Sequence, residues 1–199
     1  MNNKPWHVLN IDVSNAVRED FNFEEELAKT HAHKSGQWLW SFHKSELATI
    51  FNSEWLEYMK SLNLEVFTTL MFYRQPFFVG EPHIDLPTNF AINWVIGSAD
   101  ESEMIWYKMP SMVDYAKESR TAPAGGYVYL PLSPDILIET DRRIIADIPT
   151  LVRTDIPHSI LMQSRPRWAV SVRVNAGNKV GGSWSWDDAV EFFAPFITK

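Results

Sequence analysis

Arg167-Trp-Ala-Val-Ser-Val-Arg-Val174 alternates without a break. On an extended chain Arg167, Ala169, Ser171 and Arg173 project from one face, and Trp168, Val170, Val172 and Val174 from the other. The second set is an apolar packing face, which predicts a strand laid against a core. The first set puts two guanidiniums and a hydroxyl on the opposite side, an odd choice if that side were plain core as well. A buried arginine needs a partner to offset its desolvation. A carboxylate gripped by the planar guanidinium is the most economical one.

Working outward, β-branched and aromatic residues crowd 66–73 and 89–96, and further short strands are expected at 103–109, 126–130, 136–139 and 150–154. No stretch between them has the length of a crossover helix. Antiparallel sheets in a sandwich or jelly-roll barrel follow. Helices are expected at the ends. Residues 21–30 carry acidic residues early and a lysine late, as a helix dipole favours. In 53–62, Trp55, Tyr58, Met59 and Leu62 recur at helical spacing behind Ser53 as N-cap. The tail 185–193 reads as a capped closing helix. At 199 residues the chain fits one domain, divided as 1–63 mixed helical support, 64–175 β core and 176–199 C-terminal helix.

Composition removes several classes. The absence of cysteine excludes disulfides, thiolate zinc sites and cysteine nucleophiles together. Any metal must then be held by histidine and carboxylate, which favours iron, manganese or catalytic zinc. A formal charge of −7 argues against a nucleic-acid surface. The first residues lack a signal peptide's apolar run, and no stretch approaches a membrane span. A soluble, cytoplasmic protein is the expectation.

The chemistry concentrates in Glu81-Pro-His-Ile-Asp85. His83 and Asp85, two apart, share a face of an extended chain, and His158 follows 73 positions beyond Asp85. Two imidazoles and one carboxylate form the facial triad of non-haem iron(II) oxygenases, with the remaining positions open. Taken alone an H-x-D and a distant histidine is a weak motif. Arg167, nine residues past His158 in the alternating strand, makes it more specific.

In these residues the chain resembles the 2-oxoglutarate- and iron(II)-dependent oxygenases, especially the small prolyl-hydroxylase-like branch. The resemblance runs from about residue 64 to 174. It implies a double-stranded β-helix, the jelly roll shared with cupins, and an enzyme using Fe(II), 2-oxoglutarate and O2. It implies His83, Asp85 and His158 as metal ligands and Arg167 on the distal carboxylate of 2-oxoglutarate. It also places Tyr73, ten residues before His83, and Ser171 beside the co-substrate. Arg173 is left to contact an anionic substrate or to compete with Arg167, and Arg74 adds to the same positive character. Residues 110–124 fit no core strand and are expected to form an insertion or lid. The stretch 147–150 lacks the Gly-Asp turn often found in the family.

Other polar residues have plainer readings. Asn93 and Tyr107 are either satisfied core or substrate-pocket lining. His31 and His33 form an H-x-H expected at the surface, and Glu101 and Glu103 an exposed acidic turn. Trp94, Trp106 and Trp168 are expected between sheet and covering helices. The substrate, small-molecule or peptidyl, is not specified by these residues. Two other readings stay open: a cupin-like metalloenzyme that uses no 2-oxoglutarate, and a non-catalytic β-sandwich binding module.

Overall fold

The alternation at 167–174 extends to ten residues, Arg167–Ala176, and that strand becomes the centre of the larger of two sheets. A computed structural model of the chain describes residues 4–29, 37–96, 102–109, 119–121, 128–176 and 184–198. In chain order the elements are β1 (Trp6–Val8), α1 (Phe23–Lys29), β2 (Gln37–His43), α2 (Ser53–Ser61), β3 (Leu64–Arg74), β4 (His83–Leu86) and β5 (Phe90–Ile96). There follow β6 (Glu103–Lys108), β7 (Arg120–Thr121), β8 (Val128–Pro131), β9 (Ile138–Ile144), β10 (Thr150–Arg153), β11 (His158–Leu161), β12 (Arg167–Ala176) and α3 (Trp186–Phe193).

The sheets order as β1-β10-β5-β12-β3-β2 and β7-β8-β4-β11-β6-β9, with antiparallel pairing throughout. From β3 to β6 the chain alternates between sheets, and from β9 to β12 it alternates back, so each returning strand inserts beside an outgoing one. This winding is a double-stranded β-helix, a jelly roll. The hairpin of β7 and β8 is added between its fourth and fifth strands and lengthens the smaller sheet beyond β4.

The two faces of the larger sheet have different duties. Its outer face buries Val170, Val172, Val174, Ile92, Trp94 and Met71 under α2, α3 and the N-terminal segment. Burying each such side chain contributes roughly 1.5–3 kcal/mol. Ser185 caps α3 through a reciprocal capping box with Asp188, the two-way bond that fixes where this helix starts. Between the sheets lies a second, smaller core of Ala91, Val95, Met104, Trp106, Ile145 and Val152. The rest of that interlayer space holds Asp85, His158, Arg167, Ser171 and Arg173 among apolar side chains, and the candidate site lies there.

Several expectations are corrected. The N-terminal third is mixed and partly helical as expected, but its edge strands β1 and β2 were not predicted. Asn52 rather than Ser53 occupies the cap position of α2, with no side-chain capping bond. Trp106 lies between the sheets, whereas Trp94 and Trp168 lie on the helix-covered face. Glu103 opens β6 and pairs with Arg142 at 2.6 Å. Of 110–124, Arg120–Thr121 is strand β7, while 110–118 and 122–124 fall outside the described residues. His31, His33 and Glu101 fall outside them too.

Candidate metal centre

β4 and β11 are neighbours, and His83 on one is the register partner of His158 on the other. Asp85 follows two residues along β4 and returns to the same face. These three residues offer one ligand atom each, all within 4.8 Å of one another. Asp85 Oδ1 lies 3.4 Å from His83 Nε2 and 3.5 Å from His158 Nε2. The imidazole centroids are 4.5 Å apart. Donors taking adjacent positions on an ion with bonds of about 2.1 Å stand roughly 3 Å apart, a spacing that the two Asp85–imidazole distances approach.

Backbone carbonyls set the orientation of both rings. His83 Nδ1 is 2.8 Å from the Glu81 carbonyl and His158 Nδ1 is 2.9 Å from that of Ile156. A carbonyl can only accept, so each Nδ1 donates to one and each Nε2 is turned to Asp85, the nitrogen that would meet a metal. Asp85 and His158 are buried, 5% and 4% exposed. Burial alone would push the Asp85 carboxyl up. The charge of His158, hydrogen bonds from both histidines and the charge of Arg173 outweigh it and hold the group well below the usual carboxylate range. Two imidazole nitrogens with one anionic oxygen suit a divalent iron-like ion, and the residues fit it.

The triad opens on a cavity of about 70 Å³. Arg167 lies on its wall, 4% exposed. Its Nη1 donates to Ser102 Oγ at 2.5 Å, its Nε is buried with no acceptor, and among the described residues no carboxylate pairs with it. Burial, and then the charge of Arg74, push this guanidinium down to about 9. Arg74 shares the cavity wall, stacked over Phe72 and Phe78. Asn93 also lines it, and its Oδ1 is buried with no donor among the described residues. Apolar walls come from Phe72, Met104, Ile145 and Ile160.

Tyr73 stands elsewhere than expected, and Arg173 is engaged differently. Arg173 does line the cavity, but its Nη2 donates to Asp85 Oδ2 at 2.8 Å, Nη1 to Ser171 Oγ at 2.5 Å and Nε to Thr88 Oγ1 at 3.0 Å. It is bound to the carboxylate of the candidate triad rather than held out for a substrate. Ser171 lines the cavity with its hydroxyl already engaged by Arg173. Tyr73 is the register partner of Trp168 and packs on that ring at 5.2 Å, on the outer face of the sheet. Its neighbours Phe72 and Arg74 are the cavity residues. Burial and Glu24 raise the Tyr73 hydroxyl above its ordinary value. Tyr107 bonds Ser159 Oγ at 2.8 Å and does not line the cavity, because both residues lie on the face of the smaller sheet opposite His158.

Ser102 and Thr88 were not anticipated from the sequence. Ser102 sits among acidic residues and Thr88 between strands, and neither belongs to a motif.

No protein-family model and no curated protein sequence matches the chain. Solved structures resemble it in architecture. Vicilin from hazelnut (Corylus avellana) is 12% identical with a TM-score of 0.39, over 78% of this chain and 37% of that one. Oxalate oxidase in complex with the substrate analogue glycolate is 12% identical, TM-score 0.38, over 88% and 76%. Procruciferin, the 11S globulin of Brassica napus, is 10% identical, TM-score 0.36, over 94% and 39%. The chain thus spans little more than a third of the vicilin and procruciferin chains. The fold assignment rests on the strand order, and the roles of the site residues on their own geometry.

Proposed function

We propose that the protein is an iron(II)- and 2-oxoglutarate-dependent dioxygenase that hydroxylates a small-molecule or peptidyl substrate. The observation that carries this reading is Arg167. A buried cation whose Nε has no acceptor among the described residues, on the cavity shared with a two-histidine, one-carboxylate triad, suits an incoming carboxylate. A metalloenzyme with no keto acid would have the triad but no use for that cation.

His83, Asp85 and His158 would hold the ion and leave its other positions to ligands from the cavity. Iron(II) with 2-oxoglutarate and O2 supplies the oxidant that inserts one oxygen atom into a C–H bond while the other enters succinate and CO2 is released. The chain's own contribution is placement. Arg167, steadied by Ser102, would take the far carboxylate of the keto acid, and Phe72, Met104 and Ile160 would keep water from its methylenes. Asn93 would face the ligands as an acceptor for an N–H or O–H group.

The test is succinate released from 2-oxoglutarate with Fe(II) under air, in wild type, Arg167→Ala and His158→Ala. Wild type should produce succinate slowly even uncoupled from substrate. His158→Ala should produce none, and Arg167→Ala should need at least ten-fold more 2-oxoglutarate. Bound metal without any succinate would point to a keto-acid-independent metalloenzyme. Refusal of iron(II), manganese(II) and nickel(II) alike would leave a binding module.

A further inference from the structure

Arg173 uses three different guanidinium nitrogens on three partners: Nη2 on Asp85 Oδ2, Nη1 on Ser171 Oγ and Nε on Thr88 Oγ1. The side chain is 5% exposed, and its partners come from β12 itself and from the β4 and β4–β5 region. Three fixed acceptors around a planar group leave it no alternative orientation. The carboxylate it holds is therefore divided, with Oδ2 committed to the arginine and Oδ1 turned to both Nε2 atoms.

Resting on the metal-centre reading, we propose that Arg173 is a positioning residue that restricts Asp85 to one-oxygen ligation. A free carboxylate can bind a divalent ion through both oxygens. Doing so here would occupy a fourth position and leave two for a chelating keto acid and O2, which together need three. With Oδ2 tied to Arg173, the protein contributes three donors and three positions remain. Arg173 thereby acts on the co-substrate through the ligand, without touching the metal. The same reasoning makes Thr88 a second support, since it fixes Nε on the far side of the guanidinium.

The experiment is X-ray absorption on protein loaded with cobalt(II) alone, with no keto acid present, in wild type, Arg173→Met, Arg173→Lys and Thr88→Val. Metal stoichiometry and circular dichroism are measured in parallel. Wild type should show one-oxygen carboxylate ligation. Arg173→Met should gain an oxygen neighbour and the short metal–carbon scattering of a chelating carboxylate, at unchanged stoichiometry. Arg173→Lys should fall nearer wild type, because one ammonium donor can still hold Oδ2. In manganese(II)-loaded protein, binding of 2-oxoglutarate should weaken about ten-fold or more in Arg173→Met, in the range seen when partners of metal ligands are removed. If Arg173→Met does not fold, Thr88→Val decides, with a smaller shift in the same direction. Variant spectra identical to wild type overturn the role of Arg173 while leaving the metal centre standing. Failure of wild type to take up cobalt(II) overturns the centre itself.

Discussion

Arg167 and Arg74 are register partners on the adjacent antiparallel strands β12 and β3, so two guanidiniums stand side by side on the wall of one cavity. The charge of Arg74 adds to burial in depressing Arg167. Such a pair is costly to fold. On the proposed reading the cost falls on the ligand-free protein, and binding of a dicarboxylate would relieve it.

Replacing Arg167 by methionine should therefore separate stability from function. The ligand-free variant is expected to match or exceed wild type, by up to about 1–4 kcal/mol, as when buried ionic groups give way to apolar ones of similar size. Calorimetric titration of the manganese(II)-loaded variant with 2-oxoglutarate should show no binding. A clear loss of stability together with normal 2-oxoglutarate affinity would mean Arg167 is structural.

Asp85 and Arg173 should behave oppositely. Asp85→Ala leaves the Arg173 guanidinium buried beside nothing but hydroxyls, and a broken buried ion pair costs about 3–5 kcal/mol. The double variant Asp85→Ala/Arg173→Met should recover much of that loss, a coupling that a double-mutant cycle in urea reads directly. Additive losses would deny the pair its energetic link. His83→Ala, which breaks no ion pair with Arg173, should abolish metal uptake at a smaller cost in stability.

Asn93→Leu removes a buried amide oxygen that has no donor among the described residues. Leaving such a group unsatisfied costs about 1–3 kcal/mol. The ligand-free variant is expected to melt several degrees higher, at roughly 2–4 °C per kcal/mol for a chain of this size. A lower melting temperature would show that the amide is satisfied by something in the folded protein.

Tyr73→Phe should leave 2-oxoglutarate affinity within two-fold of wild type, because the ring packs on Trp168 across the sheet from the cavity. A ten-fold loss would mean the hydroxyl reaches the co-substrate after all. Phe72→Ala, on the cavity side, should weaken binding more than any change at Tyr73.

The contrast between Tyr73 and Phe72 shows what was legible and what was not. Strand period is a local property, so the alternation of 167–174 separated the two faces of β12 from sequence alone, and H-x-D put His83 and Asp85 on one side. The jelly-roll class and the helices at 23–29, 53–61 and 186–193 followed from similar short-range patterns. Which face of β3 meets the cavity did not follow. It depends on the register of β3 against β12, where Tyr73 falls opposite Trp168 and Arg74 opposite Arg167. The strands β1 and β2 were missed for a related reason, since an edge strand is stabilised by a neighbour far along the chain rather than by its own pattern. Arg173 meets Asp85 across 88 residues of sequence and Arg167 meets Ser102 across 65. The sequence by itself determined which residue types could hold a metal and an anion, because periodicity and side-chain chemistry are written residue by residue. Only the tertiary structure decided that Arg167 keeps a donor with no acceptor among the described residues while Arg173 is bound to Asp85, because a buried charge finds its partner through packing.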